Sequence, residues 1–230
     1  MNTEMADPLS IVMIGATGAV GGHCVRTLLA MPDVQRLTLL GRRKLEGIQS
    51  DVIHQHQVDL FDASSYKHLV SGHHSALCTL GVGQPSKVSK AELAKVDKLT
   101  VLDFAKACKA AGVRHFVLLS AVGANAGSRS FYLRTKGELN DALKGLEFER
   151  LSIFCPSMIL TPTNRYGIGQ AILLRTWPWL QPLLAGPMRN FRGIAVDELG
   201  AAMAHCVTQR KTGFEILHWD DFASLTQQPT

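Results

Sequence analysis

Tyr132-Leu-Arg-Thr-Lys136 sets a phenol and an ammonium four residues apart. On a helix that spacing puts both on one face, with about 5 to 6 Å between their Cβ atoms. A free phenol titrates at about pH 10 and a neighbouring cation favours its ionised form, so the pair suits proton exchange near neutrality. The same spacing also occurs on solvated helix faces, and its position in the chain decides between the two. It lies just downstream of Leu118-Leu119-Ser120, which puts a hydroxyl at the end of an apolar run that reads as a parallel strand. Ligands of open α/β sheets bind at that end of the strands. Ser120, Tyr132 and Lys136 are therefore the candidate catalytic set.

A second motif concerns phosphate. Gly15-Ala-Thr-Gly18-Ala-Val-Gly21 follows the apolar run Leu9 to Ile14 and precedes a helix-like stretch from Gly22 to Met31. Glycines at this spacing let the chain turn tightly, admit a phosphate against bare backbone N–H groups and bring the next helix close to the strand. The unpaired N–H groups and partial positive charge of that helix start favour a pyrophosphate.

These groups need a frame to hold them. Short apolar runs recur at Ser10 to Ile14, Arg36 to Leu40, Val52 to Val58, Ser75 to Leu80, Arg114 to Leu119 and Glu149 to Phe154, with helical periodicity between them. That alternation predicts a Rossmann-like, doubly wound α/β sheet in a single domain. Helices are expected at Val20 to Ala30, Lys90 to Ala111 and Tyr132 to Lys144. In the second, Leu93, Val96, Leu99, Val101, Leu102, Phe104 and Ala105 form an apolar stripe. Asp97 on this helix reads first as a solvated carboxylate and second as a supporting group of the site. Residues 155–195 read as a substrate-side or interface segment, with Pro178 and Pro182 breaking the apolar stretch from Gly167 to Leu184. That stretch, with Trp177-Pro-Trp179, lacks the basic face of a membrane-surface helix and is expected over the pocket or against a partner subunit. Val196 to Val207 reads as a further helix and Gly213 to Leu217 as a late strand. Residues 1–8 and 226–230 read as flexible ends.

With 230 residues and 46% hydrophobic content, the chain can bury one sizeable core. The net charge of +5 is dispersed, with no basic stripe interleaved with aromatics, so an anionic cofactor accounts for it and a nucleic-acid partner is not expected. The five cysteines have no paired spacing and the nine histidines no metal-ligand spacing, which points to a reducing compartment and no metal site. No secretory leader and no run of apolar residues long enough to span a membrane is visible, so the expected location is the cytoplasm, with no membrane partner.

In this order, residues 15–21, Ser120, Tyr132 and Lys136 resemble a short-chain dehydrogenase/reductase. Leu39-Leu-Gly-Arg-Arg-Lys-Leu45, Cys78-Thr-Leu-Gly81, Leu118-Leu-Ser-Ala-Val-Gly-Ala124 and Phe131-Tyr-Leu-Arg-Thr-Lys-Gly-Glu138 are similar to the atypical, NAD(P)H-binding branch of that family. The resemblance implies Thr17, Gly18, Ala19 and Val20 at the pyrophosphate, and Leu80 and Gly81 beside the ribose and nicotinamide. It further implies Asp59 and Leu60 at the adenine, and Ile159 and Arg165 on loop positions facing the cofactor. Asp59 serves equally well as a cap for the helix that follows. Cys155 stands where the family often has an arginine before the proline, a departure in the turn Pro156-Ser157.

Where an acidic residue would hold the 2′-hydroxyl of NAD, the second strand ends in Gly41-Arg42-Arg43. Two guanidiniums suit a 2′-phosphate, which points to NADP(H), although a solvated basic turn also fits. The implied reaction is reduction of a small-molecule carbonyl compound. In it Tyr132 donates the proton, Ser120 orients the oxygen, and Lys136 lowers the tyrosine pKa and holds the nicotinamide ribose. The alternative is a nonenzymatic NADPH-binding sensor that acts through a protein partner or a homodimer.

Overall fold

In the computed structural model of the chain, residues 8–161 and 186–227 are described. Seven parallel strands form one sheet: β1 (Leu9–Ile14), β2 (Val34–Gly41), β3 (Ile53–Gln57), β4 (Ser75–Cys78), β5 (His115–Leu119), β6 (Arg150–Phe154) and β9 (Gly213–Leu217). Their order is β3-β2-β1-β4-β5-β6-β9. A short parallel pair, β7 (Ile159–Leu160) and β8 (Ile194–Ala195), lies apart from it. The helices are α1 (Ala19–Leu29), α2 (Lys90–Ala94), α3 (Thr100–Ala110), α4 (Phe131–Lys144), α5 (Val196–Thr208) and α6 (Trp219–Gln227). This is the α/β fold that the alternation of apolar runs predicts.

The central strands are buried on both faces, which is why they are nearly continuous apolar runs. Side chains alternate along each strand. Ile11 and Met13 of β1 enter a core with Val25, Leu28, Phe154 and Met203. Val12 and Ile14 enter the opposite core with Tyr66, Phe104, Phe116 and Leu139. The edge strand β3, Ile53-His-Gln-His-Gln57, has no fully buried residue, and its polar side chains blunt the exposed edge.

Strand order reverses where β1 separates β2 from β4, with Ile14 paired to Leu40 on one side and to Cys78 on the other. Chain leaving β1 and β4 there opens the crevice in which such sheets bind ligands.

One sequence expectation needs correction. The helix from Lys90 to Ala111 is interrupted by a π-helical turn at Lys95–Leu99. The extra residue in that turn rotates the stripe, leaving Leu99 51% exposed while Asp97 and Thr100 are buried. Helix α6 extends through Gln227, with Phe222 and Leu225 buried. In the segment 155–195, the pairing of β7 with β8 was not foreseen. Arg165 and the stretch 177–184 lie outside the described residues.

The approach of α1 to the sheet depends on Gly21. A Cβ there would lie 2.2 Å from the Gly15 carbonyl oxygen and 2.9 Å from Ala16 Cα. Gly22 has room, its nearest neighbour being the Ala16 carbonyl oxygen at 3.7 Å. Gly21→Ala is expected to cost about 2–3 kcal/mol and lower the thermal midpoint by roughly 5–10 °C. Gly22→Ala is expected to be neutral or to stabilise by up to about 1 kcal/mol. Thermal unfolding followed by circular dichroism distinguishes the two.

Candidate functional site

The glycine loop and the loop after β4 meet back to back. Gly15 has φ +88°, and a Cβ on it would lie 2.5 Å from the Thr79 carbonyl carbon and 2.6 Å from Leu80 N. Thr79 ties the two loops together: its hydroxyl donates to the Gly15 carbonyl at 3.0 Å and its N–H to the Ile14 carbonyl at 3.1 Å. The Gly18 N–H donates to the Gly15 carbonyl at 3.0 Å, which closes the turn and makes Gly18 the N-cap of α1. No side chain caps α1, and its first turn holds no acidic residue. The N–H groups of that turn therefore have neither an intrahelical nor a side-chain partner, as an anion-binding helix start requires.

A cavity lies on either side of this loop. The first is lined by Gly15, Ala16, Thr17, Arg42, Arg43, Leu60 and Leu80, together with the end of β2 and His56. Arg42 and Arg43 are exposed. The basic turn that carries them is pinned by Gln55, which accepts the Leu45 N–H at 2.7 Å and donates to the Leu45 carbonyl at 3.2 Å. Buried Leu60 contributes the apolar wall. Asp59 is exposed and outside the lining, its carboxylate accepting the Phe61 N–H at 2.9 Å. The cap of the short 3₁₀ turn Ala63–Ser65 is Asp62, not Asp59.

The second cavity is lined by Gly18, Ala19, Val20, Leu80, Gly81, Ser120, Tyr132, Lys136 and Ile159, with Asp97 and Thr161. The catalytic candidates thus converge with the far half of the glycine loop. Gly21 lies beneath the loop as a packing glycine and lines neither cavity. Tyr132 and Lys136 project from α4, which starts at Ser130, whose hydroxyl accepts the Leu133 N–H. Gly137 lets α4 close on the loop after Ser120, since a Cβ there would lie 2.2 Å from the Asn125 carbonyl carbon.

Two polar partners were missed or misread in the sequence. Asp97 is buried and pairs with Lys136 at 3.0 Å, the two side chains being 3% and 5% exposed. Burial alone would lower the lysine pKa. The Asp97 charge, the neighbouring Tyr132 and the Asp97 hydrogen bond outweigh it and hold the ammonium above its ordinary value. Asn140 accepts the Ser120 hydroxyl at 3.0 Å through Oδ1. Both had a sequence signal. Asn140 extends the Tyr132, Lys136 spacing by one more turn on the same helix face, and Asp97 lies four residues from each of buried Leu93 and Val101.

A family model described as NAD(P)H-binding matches residues 15–147, more than half of the chain. Protein HTATIP2 of Rattus norvegicus is 35% identical over 153 residues, covering 66% of this chain and 63% of the rat protein, so the chain matches less than two thirds of that relative's length. Protein FMP52, mitochondrial, of Candida albicans is 30% identical over 186 residues, 76% of this chain and 81% of the fungal one. The fold is shared with MoeE5 in complex with UDP-glucuronic acid and NAD (TM-score 0.69, 17% identity, 90% of this chain and 75% of that one). It is shared also with UDP-glucose 4-epimerase of Thermotoga maritima (TM-score 0.68, 15% identity, 91% and 77%). No helix among the described residues is long and apolar enough to cross a membrane. The fungal relative's name places that protein in mitochondria, so the comparisons do not reproduce the cytoplasmic expectation.

Breaking the buried pair from one side should be costly. Lys136→Met leaves a carboxylate without its counter-charge and is expected to cost about 3–5 kcal/mol, whereas Asp97→Leu/Lys136→Met together is expected to cost only about 1–3 kcal/mol, for the Val82 N–H that loses its acceptor. Because Lys136 titrates higher folded than unfolded, the pair's contribution is complete below the ordinary lysine value and is lost as pH climbs through the raised one. Urea unfolding across that alkaline range should show this loss in the wild type and not in the double variant.

Proposed function

The chain belongs to the NAD(P)H-binding family, and from that premise we propose that it is an NADPH-dependent oxidoreductase that reduces a small carbonyl compound. The observation that carries this reading is the glycine loop with a cavity on each side, one bordered by two arginines and the other by Ser120, Tyr132 and Lys136. The residues fit a dinucleotide. An uncapped helix start suits the pyrophosphate, and positive φ at Gly15 with the close approach at Thr79 excludes side chains where the phosphates must reach backbone. Thr17, Gly18, Ala19 and Val20 would hold the pyrophosphate, Arg42 and Arg43 the 2′-phosphate, and Leu60 the adenine. Leu80, Gly81 and Ile159 would border the nicotinamide half. Arg165 keeps its place in the proposal by resemblance alone.

When bound, the nicotinamide supplies a hydride to the carbonyl carbon. Tyr132 donates its phenolic proton to the oxygen as negative charge develops there. Ser120 would position that oxygen by turning to it the one hydroxyl proton that it gives Asn140 in the structure. Lys136 supplies a fixed positive charge beside Tyr132 and a donor for the ribose. Free, buried cysteines accord with a reducing, cytoplasmic setting, which belongs to the same proposal.

A fluorescence titration of the purified protein with NADPH and NADH tests the reading, followed by a screen of carbonyl compounds. Tighter binding of NADPH is expected, with the preference reduced about 10- to 100-fold in Arg42→Ala/Arg43→Ala. Tyr132→Phe should lower turnover by about 10² to 10⁴ while leaving NADPH affinity nearly unchanged. Equal affinity for the two nucleotides, unaffected by the arginine replacements, contradicts the cofactor assignment. Wild-type turnover in Tyr132→Phe contradicts the mechanism. Saturable binding with no turnover favours a nonenzymatic sensor.

A further inference from the structure

Asp97 reaches the site from outside both motifs that define it. Its two carboxylate oxygens serve different elements: Oδ1 contacts the Lys136 ammonium at 3.0 Å, and Oδ2 accepts the Val82 N–H at 2.8 Å. The residue lies in the π-helical turn Lys95–Leu99, which turns it inward from a helix otherwise lined by apolar side chains. Such single turns cost regular hydrogen bonding and are concentrated at functional sites. Gly81 gives the carboxylate room, because a Cβ there would come within 3.1 Å of Oδ1.

We propose that Asp97 is a positioning residue of the site, which fixes the Lys136 ammonium in its charged form beside Tyr132 and couples it to the loop 81–83 bordering the same cavity. The proposal rests on the reductase reading given above. Its physical basis is that a lysine buried this deeply, with no counter-charge, relieves its desolvation by giving up a proton. A neutral Lys136 offers Tyr132 no electrostatic help. One carboxylate therefore maintains both the charge and the aim of the group on which proton transfer depends.

Among the described residues, the other titratable groups that act on Lys136 are Cys78 on β4 and Cys155 after β6. Burial pushes their thiols up to about 12 and about 11, so neither carries charge at working pH. Removing the Asp97 charge makes the first proton of the Tyr132–Lys136 pair easier to lose, whichever residue gives it up. A purely structural role for Asp97 would not move that titration.

The test follows tyrosinate absorbance and the lysine side-chain carbon resonances of the whole chain from about pH 6 to about pH 12, past the ordinary lysine value. Tyr132→Phe and Lys136→Arg identify the two signals. In Asp97→Asn the first proton of the pair is expected to leave about one to two pH units lower than in the wild type, and Asp97→Glu, which keeps the charge, should move it back. The alkaline limb of kcat/KM for carbonyl reduction should fall by the same interval. A shifted titration without turnover in either protein upholds the role of Asp97 and removes the reductase reading. An unshifted titration overturns the role, whatever the activity. If Asp97→Asn does not fold, the wild type decides: Lys136 is expected to titrate above the surface lysines, and titration with or below them overturns the proposal.

Discussion

Thr79 and Gly15 touch where β1 and β4 part, and both halves of the site take their positions from that contact. A hydroxyl bonded to a glycine carbonyl is a modest interaction, worth about 0.5–1.5 kcal/mol net. Its geometric effect is larger. The backbones approach so closely that no side chain fits at Gly15 or Gly21. One strand then runs on into α1, whose start faces the crevice. The other runs through Gly81 and Val82 to the carboxylate of Asp97, and from there by an ion pair to α4. The glycine loop and the helix that carries Tyr132 and Lys136 are thus braced against each other through a few short contacts.

The charges of this protein divide by environment. Among the described residues most lysines and arginines are exposed or half-buried, where isolated charges contribute little to stability. Arg42 and Arg43 belong to this exposed set and, with Lys44, border the first cavity. Lys136 has almost no contact with water, and there a partner is obligatory. The opposite end of the sheet applies the same rule to a structural cluster, in which Arg150 pairs with Glu215 at 2.6 Å and Ser152 bonds both Glu215 and His115. That network closes the amino-terminal end of β5 and β6, away from the ligand-binding end of the strands.

Much of the fold was legible because a parallel sheet covered on both sides leaves a plain trace: short apolar runs alternating with helical periodicity. The strands from β1 to β6 were found within a few residues, as was the glycine loop, whose spacing has few other uses. Spacing and position at a strand end single out Ser120, Tyr132 and Lys136, and the structure brings the three to one cavity. Asp97 was misread because the apolar stripe was drawn through Leu99, and a regular helix cannot bury both. The π-helical turn resolves the conflict by exposing Leu99. Asn140 was overlooked although it continues the Tyr132, Lys136 face, because an amide on a helix has too many ordinary uses to be singled out. Asp59 is placed at the adenine by resemblance alone, and in the structure its Oδ1 accepts the Phe61 N–H.

The central claim is that one dinucleotide lies across the glycine loop and occupies both cavities. Amide hydrogen exchange with and without NADPH tests this directly, because protection is read separately at each segment. Exchange is expected to slow together at residues 17–20, at 41–43 and at 81–82, joining the arginine end to the Tyr132 end. Protection confined to one side of the loop, or none at a concentration of NADPH well above saturation, would contradict the account.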